Sequence, residues 1–399
     1  MSEPVVEELA TGSGAPVRRS SLVAVGALFL INGLVIGAYA GVLPALRTRL
    51  GVDAGILAVL LFVAGVSAVA SMQVGGRLTD RVGGRRIGMA SIPFMLAGTM
   101  VLAFADTLAV AILGVALIGL GNGAMDVAMN ALGVAVEKTR TMPVMSRLHA
   151  LWSVGSFGGA GIILLTTVLT GDRGGSVVTP ALLVVTALCI VTIGLVARWV
   201  PDTPRLSHVR ADGAREPIPP QAWLLGAIAA CAGLMEGTAF DWSAIHVADV
   251  ARVDPGIAAI GLVTVSLFMI TVRFLGDFVV VRLGHRRVVR GGALSAAAGY
   301  ALAALATALP LILVGWALVG LGVALMSPQI YATAGHLGGG RMLAVVVTFG
   351  YAAAMGGPAV LGWLVHSFGV QQAMLLPVVL GVVLTILSRW MPAITRGPG

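Results

Sequence analysis

Three polar residues are spaced four apart inside one strongly apolar segment. Asn122, Asp126 and Asn130 interrupt LIGLGNGAMDVAMNALGVAV (117–136), and this i, i+4, i+8 spacing stacks their side chains on one face of a helix. A carboxyl group between two amides can bind hydroxyl groups and can take up and release a proton. The pattern predicts that Asp126 couples to protons and that the two asparagines contact a polar solute. A hydrogen-bonded stripe between packed helices is the structural alternative.

A second polar cluster, GLMEGTAFDWSA (233–244), carries two acids and a tryptophan. Five residues turn a helix by about 500°, so the acids Glu236 and Asp241 should point in different directions and do different work. We interpret Glu236 as the second proton-coupling or solute-binding acid. Asp241 lies nearer a span end and is interpreted as a gate or as an ion-pair partner of Arg47 or Arg49. Trp242 could stack on a sugar ring or simply pack.

Other polar side chains inside apolar runs are further candidates. Arg273 and Asp277 lie one helical turn apart and could form a gate pair or a permanent structural ion pair. His149 near a span end could serve a proton path or could be a surface residue. The complete set of predicted solute-contacting residues is Asn32, Asn122, Asn130, His149, Trp152, Trp242, Gln329 and Tyr331.

The composition decides which elements must hold these residues. Of 399 residues, 58% are hydrophobic and 11% are charged, whereas soluble proteins contain about 25% charged residues. A soluble enzyme, a disordered chain and a disulfide scaffold are excluded, and a polytopic membrane protein is predicted. Apolar runs bounded by charge, Gly and Pro place twelve spans near 20–43, 54–76, 87–105, 108–135, 143–169, 177–199, 220–248, 257–281, 288–308, 310–334, 341–366 and 371–391.

The net charge of +8 is interpreted as a sign of topology and not of nucleic-acid binding. With both termini inside, all but four of the 25 Lys and Arg residues fall on cytoplasmic segments, as the positive-inside rule requires. The four on the outer side are Arg47, Arg49, Arg173 and Arg252.

An internal repeat divides the chain. Shifting the sequence by 201 residues aligns ALIGLGNGAM (116–125) with ALVGLGVALM (317–326), with six of ten positions identical, and also aligns GGRLTDRVGGRR (75–86) with GDFVVVRLGHRR (276–287). We therefore expect two six-span halves, residues 1–199 with a short cytoplasmic tail and residues 220–399, joined by a cytoplasmic linker at 200–219.

The segment GGRLTDRVGGRR resembles the cytoplasmic signature of the major facilitator superfamily, whose members are built from two six-span halves. A glycine turn there would let an acid and several arginines bind a neighbouring helix in one state and release it in another. The second copy has Val281 where the first has Asp80, which predicts a weaker latch. The residues predicted to gate are Gly76, Asp80, Arg81, Gly83, Arg85, Arg86, Asp241, Arg273 and Asp277.

Within that superfamily, the segment GLGNGAMDVAMNALGVAVE (119–137) resembles the sugar:proton symporters of the fucose-permease type, which carry an acid with an Asn four residues later. The segments HALWSVGSFGGA (149–160) and GTAFDWSA (237–244) are similar to bacterial transporters of the same branch. The first span departs from that pattern, because it has no acid and offers only Asn32. Fucose specificity is therefore not carried over to this chain.

These observations predict an all-α integral membrane protein of twelve transmembrane helices in two six-helix pseudo-repeats. The resemblance implies a secondary active transporter that moves a small polar solute, sugar-like in kind, by proton-coupled alternating access. A proton-antiport exporter of a metabolite or drug is the alternative. We expect a monomer in the cytoplasmic (inner) membrane of a bacterium, with a small molecule, protons and the lipid bilayer as partners. No enzymatic activity, cofactor, metal or nucleic acid is expected.

Overall fold

The structure, a computed structural model, describes residues 19–137, 139–140, 144–171, 174–202 and 219–392. We call α1–α6 the N-terminal half. Its long apolar runs form six helices: α1 (Arg19–Leu50), α2 (Ala54–Val82), α3 (Gly84–Ala103), α4 (Leu108–Glu137), α5 (Met145–Thr170) and α6 (Val178–Val196).

The C-terminal half begins where the polar linker ends. It contains α7 (Pro220–Ala251), α8 (Ile260–Leu283), α9 (His285–Leu305), α10 (Leu309–Val323), α11 (Met326–Phe368), α12 (Val370–Ala373) and α13 (Leu375–Leu387). Within the described residues, twelve stretches are helical, long and apolar enough to cross a membrane. The predicted all-α, twelve-span fold class is confirmed. Residues 335–340, expected to be a loop between spans ten and eleven, are instead part of α11.

The two halves repeat the same close helix contacts at a spacing of 201 residues. A Cβ atom added to Gly119 would lie 2.3 Å from the carbonyl oxygen of Ala64, and one added to Gly320 would lie 2.5 Å from that of Val265. Only a residue without a side chain permits such an approach between backbones. The repeated glycine pattern therefore sets how α4 packs on α2 and how α10 packs on α8.

The turns after α2 and α8 are also equivalent. Gly83 has φ 96° and Gly284 has φ 79°, a left-handed conformation that side chains disfavour. The backbone amide of each glycine donates a hydrogen bond that caps the preceding helix. Gly83 donates to the carbonyl oxygen of Thr79, and Gly284 donates to that of Val280. We call the end of the bundle that holds these two turns the basic end, and the other end the opposite end. The glycine turn expected from the signature is present. Near it, Arg81 and Arg86 are exposed, while Gly76 and Arg85 are half-buried. The predicted latch residue Asp80, and also Asp277, lie outside the described side chains.

The halves meet at the opposite end. Arg47 of α1 donates a bidentate pair of hydrogen bonds to Asp249 of α7. The amide of Gly174 in the N-terminal half donates to Asp254 in the C-terminal half at 3.2 Å. Deeper in the bundle, the hydroxyls of Ser156 and Ser266 lie 3.3 Å apart. These contacts close the opposite end of the bundle.

Candidate functional site

A cavity of about 560 Å³ lies between the two halves. Both halves contribute polar side chains to it, on α1, α4 and α5 from the first and on α7, α8 and α11 from the second. Ten of the residues singled out from the sequence line this cavity: Asn32, Asn122, Asp126, His149, Trp152, Glu236, Asp241, Arg273, Gln329 and Tyr331.

The N-terminal half presents a chain of amide hydrogen bonds. The indole of Trp152 donates to the Oδ1 atom of Asn32 at 2.6 Å, and the Nδ2 atom of Asn32 donates to the Oδ1 atom of Asn122 at 2.9 Å. Three helices, α5, α1 and α4, are tied together by this chain. Because each group holds the next one in place, donors and acceptors around the cavity are oriented before any solute enters.

Asp126 is bound from both halves. The Nδ2 atom of Asn130, one turn along α4, donates to the Asp126 carboxylate at 3.2 Å and to its backbone oxygen at 2.8 Å. The hydroxyl of Tyr351 on α11 donates to the other carboxylate oxygen at 3.0 Å. Asn130 does not line the cavity, so it positions Asp126 instead of contacting the cavity as expected.

Glu236 takes part in a second network across the halves. Its carboxylate accepts from Arg273 on α8 at 3.2 Å and from the hydroxyl of Ser327 on α11 at 3.0 Å. Arg273 also donates to Ser153 of the N-terminal half at 2.5 Å and to the carbonyl oxygen of Ala324 at 3.3 Å. That carbonyl is in the break between α10 and α11, where the helical bonding is interrupted. Arg273 therefore lines the cavity and pairs with Glu236, while its expected partner Asp277 lies outside the described side chains.

The expectation that Asp241 pairs with Arg47 or Arg49 is wrong. Arg47 binds Asp249, and Arg49 binds Asp106 within the N-terminal half. The three charged groups Arg47, Arg49 and Asp249 lie near the ends of their helices, at one depth in the bundle. Asp241 lies two turns deeper and lines the cavity together with Glu236.

Trp242 packs and does not face the cavity. Its ring is fully buried, and its neighbour Phe240 lines the cavity instead. Phe240 meets the ring of Trp152 edge-on, with ring centroids 5.2 Å apart. Of the two interpretations open for Trp242, packing agrees with the structure, and the aromatic contact across the halves belongs to Trp152 and Phe240.

Four polar or aromatic residues among the described lining of the cavity were not singled out from the sequence: Tyr39, Phe240, Ser327 and Tyr351. A compositional signal could have found two of them. The chain has only four tyrosines, and three of these, Tyr39, Tyr331 and Tyr351, line the cavity. A phenol is uncommon among the Ala, Val, Leu and Gly of these helices, and its hydroxyl needs a partner when buried. Ser327 and Phe240 carry no comparable signal.

The fold and the cavity between paired six-helix halves agree with the comparison of sequences. Residues 25–338 match the family model of the Major Facilitator Superfamily. The chain is therefore a multi-pass membrane transporter of that superfamily.

Curated relatives cover nearly the whole chain. An uncharacterized transporter, y4wD, of Sinorhizobium fredii is 33% identical over 350 residues, which are 86% of this chain and 90% of the relative. The membrane protein MosC of Rhizobium meliloti is 28% identical over 94% of this chain and 90% of its own. These likenesses agree with a transporter and give no solute.

Solved structures show the same fold at low identity. A mutant of the nucleoside transporter NupG has a TM-score of 0.73 at 12% identity and covers 93% of this chain and 99% of its own. FucP in the outward conformation has a TM-score of 0.63 at 15% identity, with 94% and 100% covered. At such identities the likeness shows the fold alone.

Proposed function

We propose that this chain is a proton-coupled secondary transporter of a small polar solute, related in mechanism to the fucose-permease type. It works by alternating access in the cytoplasmic membrane of a bacterium, with both termini in the cytoplasm. Residues 1–199 and 220–399 are the two moving halves, and 200–219 is the linker between them.

One observation carries the proposal. The Asp126 carboxylate of one half accepts a hydrogen bond from Tyr351 of the other half inside the cavity. A charged carboxylate is a stronger acceptor than a protonated one, so loading a proton on Asp126 weakens a bond between the halves. Proton binding and movement of the halves are thereby linked at one atom.

The second acid supports the same mechanism. Glu236 and Arg273 hold Ser153 and Ser327 in one network, so a solute hydroxyl that binds any of these groups competes with a contact between the halves. The amides of Asn32 and Asn122 and the side chains of His149, Gln329 and Tyr331 line the remaining cavity. They supply the donors and acceptors that a polyhydroxylated solute needs.

The test is transport in proteoliposomes by the wild-type protein and the Asp126→Asn variant. A panel of radiolabelled sugars, amino sugars and polyols is offered under an imposed proton gradient of either direction. We expect uphill accumulation by the wild type, and in the variant we expect solute exchange without accumulation.

Three outcomes are informative against the proposal. Normal accumulation by Asp126→Asn removes this carboxyl from proton coupling. Accumulation that does not depend on the proton gradient removes the proton from the mechanism. Solute movement only in the direction opposite to the proton flow supports the antiport alternative.

A further inference from the structure

The charges that line the cavity do not balance. Among the described side chains, three carboxyl groups, Asp126, Glu236 and Asp241, and one guanidinium, Arg273, line it. Glu236 is paired with that guanidinium. Asp126 is satisfied by two neutral donors, Asn130 and Tyr351. Asp241 is the carboxyl group that remains.

Asp241 has no hydrogen-bond or ion-pair partner among the side chains described in the structure. Tyr39, on the other half, lines the same cavity with only 6% of its surface exposed, and its hydroxyl also has no hydrogen-bond partner in the described part of the chain. Buried polar groups without partners are costly. The buried phenol of Tyr39 and the half-buried carboxyl group of Asp241, both without a partner in one cavity, therefore indicate a ligand group that satisfies them.

The two residues lie at one level of the bundle. Tyr39 precedes Arg47 by two turns on α1, and Asp241 precedes Asp249 by two turns on α7. Arg47 and Asp249 form an ion pair, and both helices run from the basic end to the opposite end. Tyr39 on α1 and Asp241 on α7 therefore each lie about 12 Å from that pair toward the basic end. Among the described lining residues of α1 and α7, Tyr39 and Asp241 are the nearest to the opposite end, so they lie at the closed end of the cavity.

Aromatic rings complete the surroundings. Trp152 and Phe240 line the same cavity and meet edge-on across the halves. Cations are attracted to the faces of aromatic rings, most strongly to tryptophan. A carboxylate, a phenol and two aromatic rings together are suited to a protonated amine, while the amides of Asn32 and Asn122 are suited to hydroxyl groups.

We propose that the transported solute is a polyhydroxylated primary amine, whose ammonium group is bound by Asp241. This inference rests on the proposed transport function and narrows its solute class. The ammonium group donates to the Asp241 carboxylate, the Tyr39 hydroxyl binds an adjacent solute group, and the hydroxyl groups extend toward the amides. Asp126 remains the proton carrier, so amine binding and proton loading use different carboxyl groups.

The test compares matched pairs in which an amine replaces a hydroxyl group. The probes are 1-amino-1-deoxysorbitol against sorbitol and glucosamine against glucose, at a mildly acidic pH that keeps the amines protonated. Affinity is measured on the purified full-length protein by the ligand-dependent thermal shift. We expect the wild type to bind each amine about tenfold or more tightly than its twin, the size expected of a hydrogen bond to a charged group.

Variants separate a binding role from a structural one. Asp241→Asn should lose the preference for amines, and Asp241→Glu, which restores the charge, should recover part of it. Asp106→Asn, which removes a carboxylate of the N-terminal half outside the cavity, should keep the full preference. Tyr39→Phe should weaken binding of both members of each pair.

Other results overturn the inference. Equal affinity for both members of each pair, no response to either amine, or a preference that survives in Asp241→Asn shows that Asp241 does not bind an ammonium group. Proton-driven accumulation of sorbitol or glucose without amine preference leaves the transport function standing and removes the amine. Amine binding that depends on Asp241, without proton-driven accumulation, leaves the amine site standing and removes the proposed proton-coupled transport.

Discussion

The hydroxyl of Tyr351 in the C-terminal half donates a 3.0 Å hydrogen bond to the carboxylate of Asp126 in the N-terminal half. Tyr351→Phe removes this bond and keeps the ring. Hydrogen bonds to charged groups contribute about 1.5–3 kcal/mol, so we expect the population closed at the opposite end to fall about tenfold relative to other states. Distances between spin labels across that end measure the change. Tyr331→Phe, at a cavity phenol with no described bond across the halves, is the control, and unchanged distances in Tyr351→Phe would contradict the prediction.

The ion pair between Arg47 and Asp249 should act as a gate at the opposite end. Both side chains are about one quarter exposed, and partly exposed pairs contribute about 1 kcal/mol or less. We expect Asp249→Asn to shift the balance of states by up to about fivefold, measured with the same spin labels. The reversed pair, Arg47→Asp with Asp249→Arg, should restore the balance. Asp106→Asn, which breaks an ion pair inside one half, should leave it unchanged, and an equal shift in both variants would refute the gate.

Glu236 and Arg273 should depend on each other for stability. A buried charge left alone by removing its partner costs about 3–5 kcal/mol, whereas removing both charges costs much less. We therefore expect Arg273→Gln to lower the thermal unfolding temperature more than the double variant Glu236→Gln with Arg273→Gln. Unfolding of the purified proteins in detergent measures this. If the decreases in unfolding temperature of Glu236→Gln and of Arg273→Gln simply add in the double variant, the two side chains do not act as a pair.

The repeated glycine contacts predict matched losses of stability in the two halves. Alanine at Gly119 or at Gly320 would bring a Cβ atom to 2.3 or 2.5 Å from a carbonyl oxygen, and overpacking of this kind costs about 1–3 kcal/mol. We expect similar decreases in unfolding temperature for both variants. Gly161→Ala, where no atom lies within 4 Å of the added Cβ, should have little effect. A decrease in unfolding temperature in Gly161→Ala as large as in the other two variants would show that overpacking is not the cause.

The helices and the Asp126 stripe could be predicted because both are local patterns. A run of apolar residues specifies a span, and a spacing of four residues specifies a helical face. The offset of 201 residues between the halves likewise needs only the sequence. The expected positions of Asn122 and Asp126 in the cavity follow from these patterns alone.

The partners of these residues could not be predicted, because they depend on contacts between distant segments. Tyr351 lies 225 residues after Asp126, and no local pattern connects the two. The sequence leaves Asp241 as a gate or as an ion-pair partner of Arg47 or Arg49. Because α1 and α7 run in the same direction, Arg47 pairs with the acid at its own depth, which is Asp249. Arg273 was assigned to its neighbour one turn away, yet its long side chain reaches Glu236 on another helix.

The position of the contact between Arg47 and Asp249 also determines how far a tilt of α1 and α7 moves their other ends. It joins two parallel helices near one end, while the basic end of α1 lies about 40 Å away along the helix axis. A pivot at this ion pair would give α1 and α7 long lever arms, so a tilt of about 15° would move their far ends by about 10 Å. A small tilt at one surface of the membrane thus becomes a passage as wide as a sugar at the other.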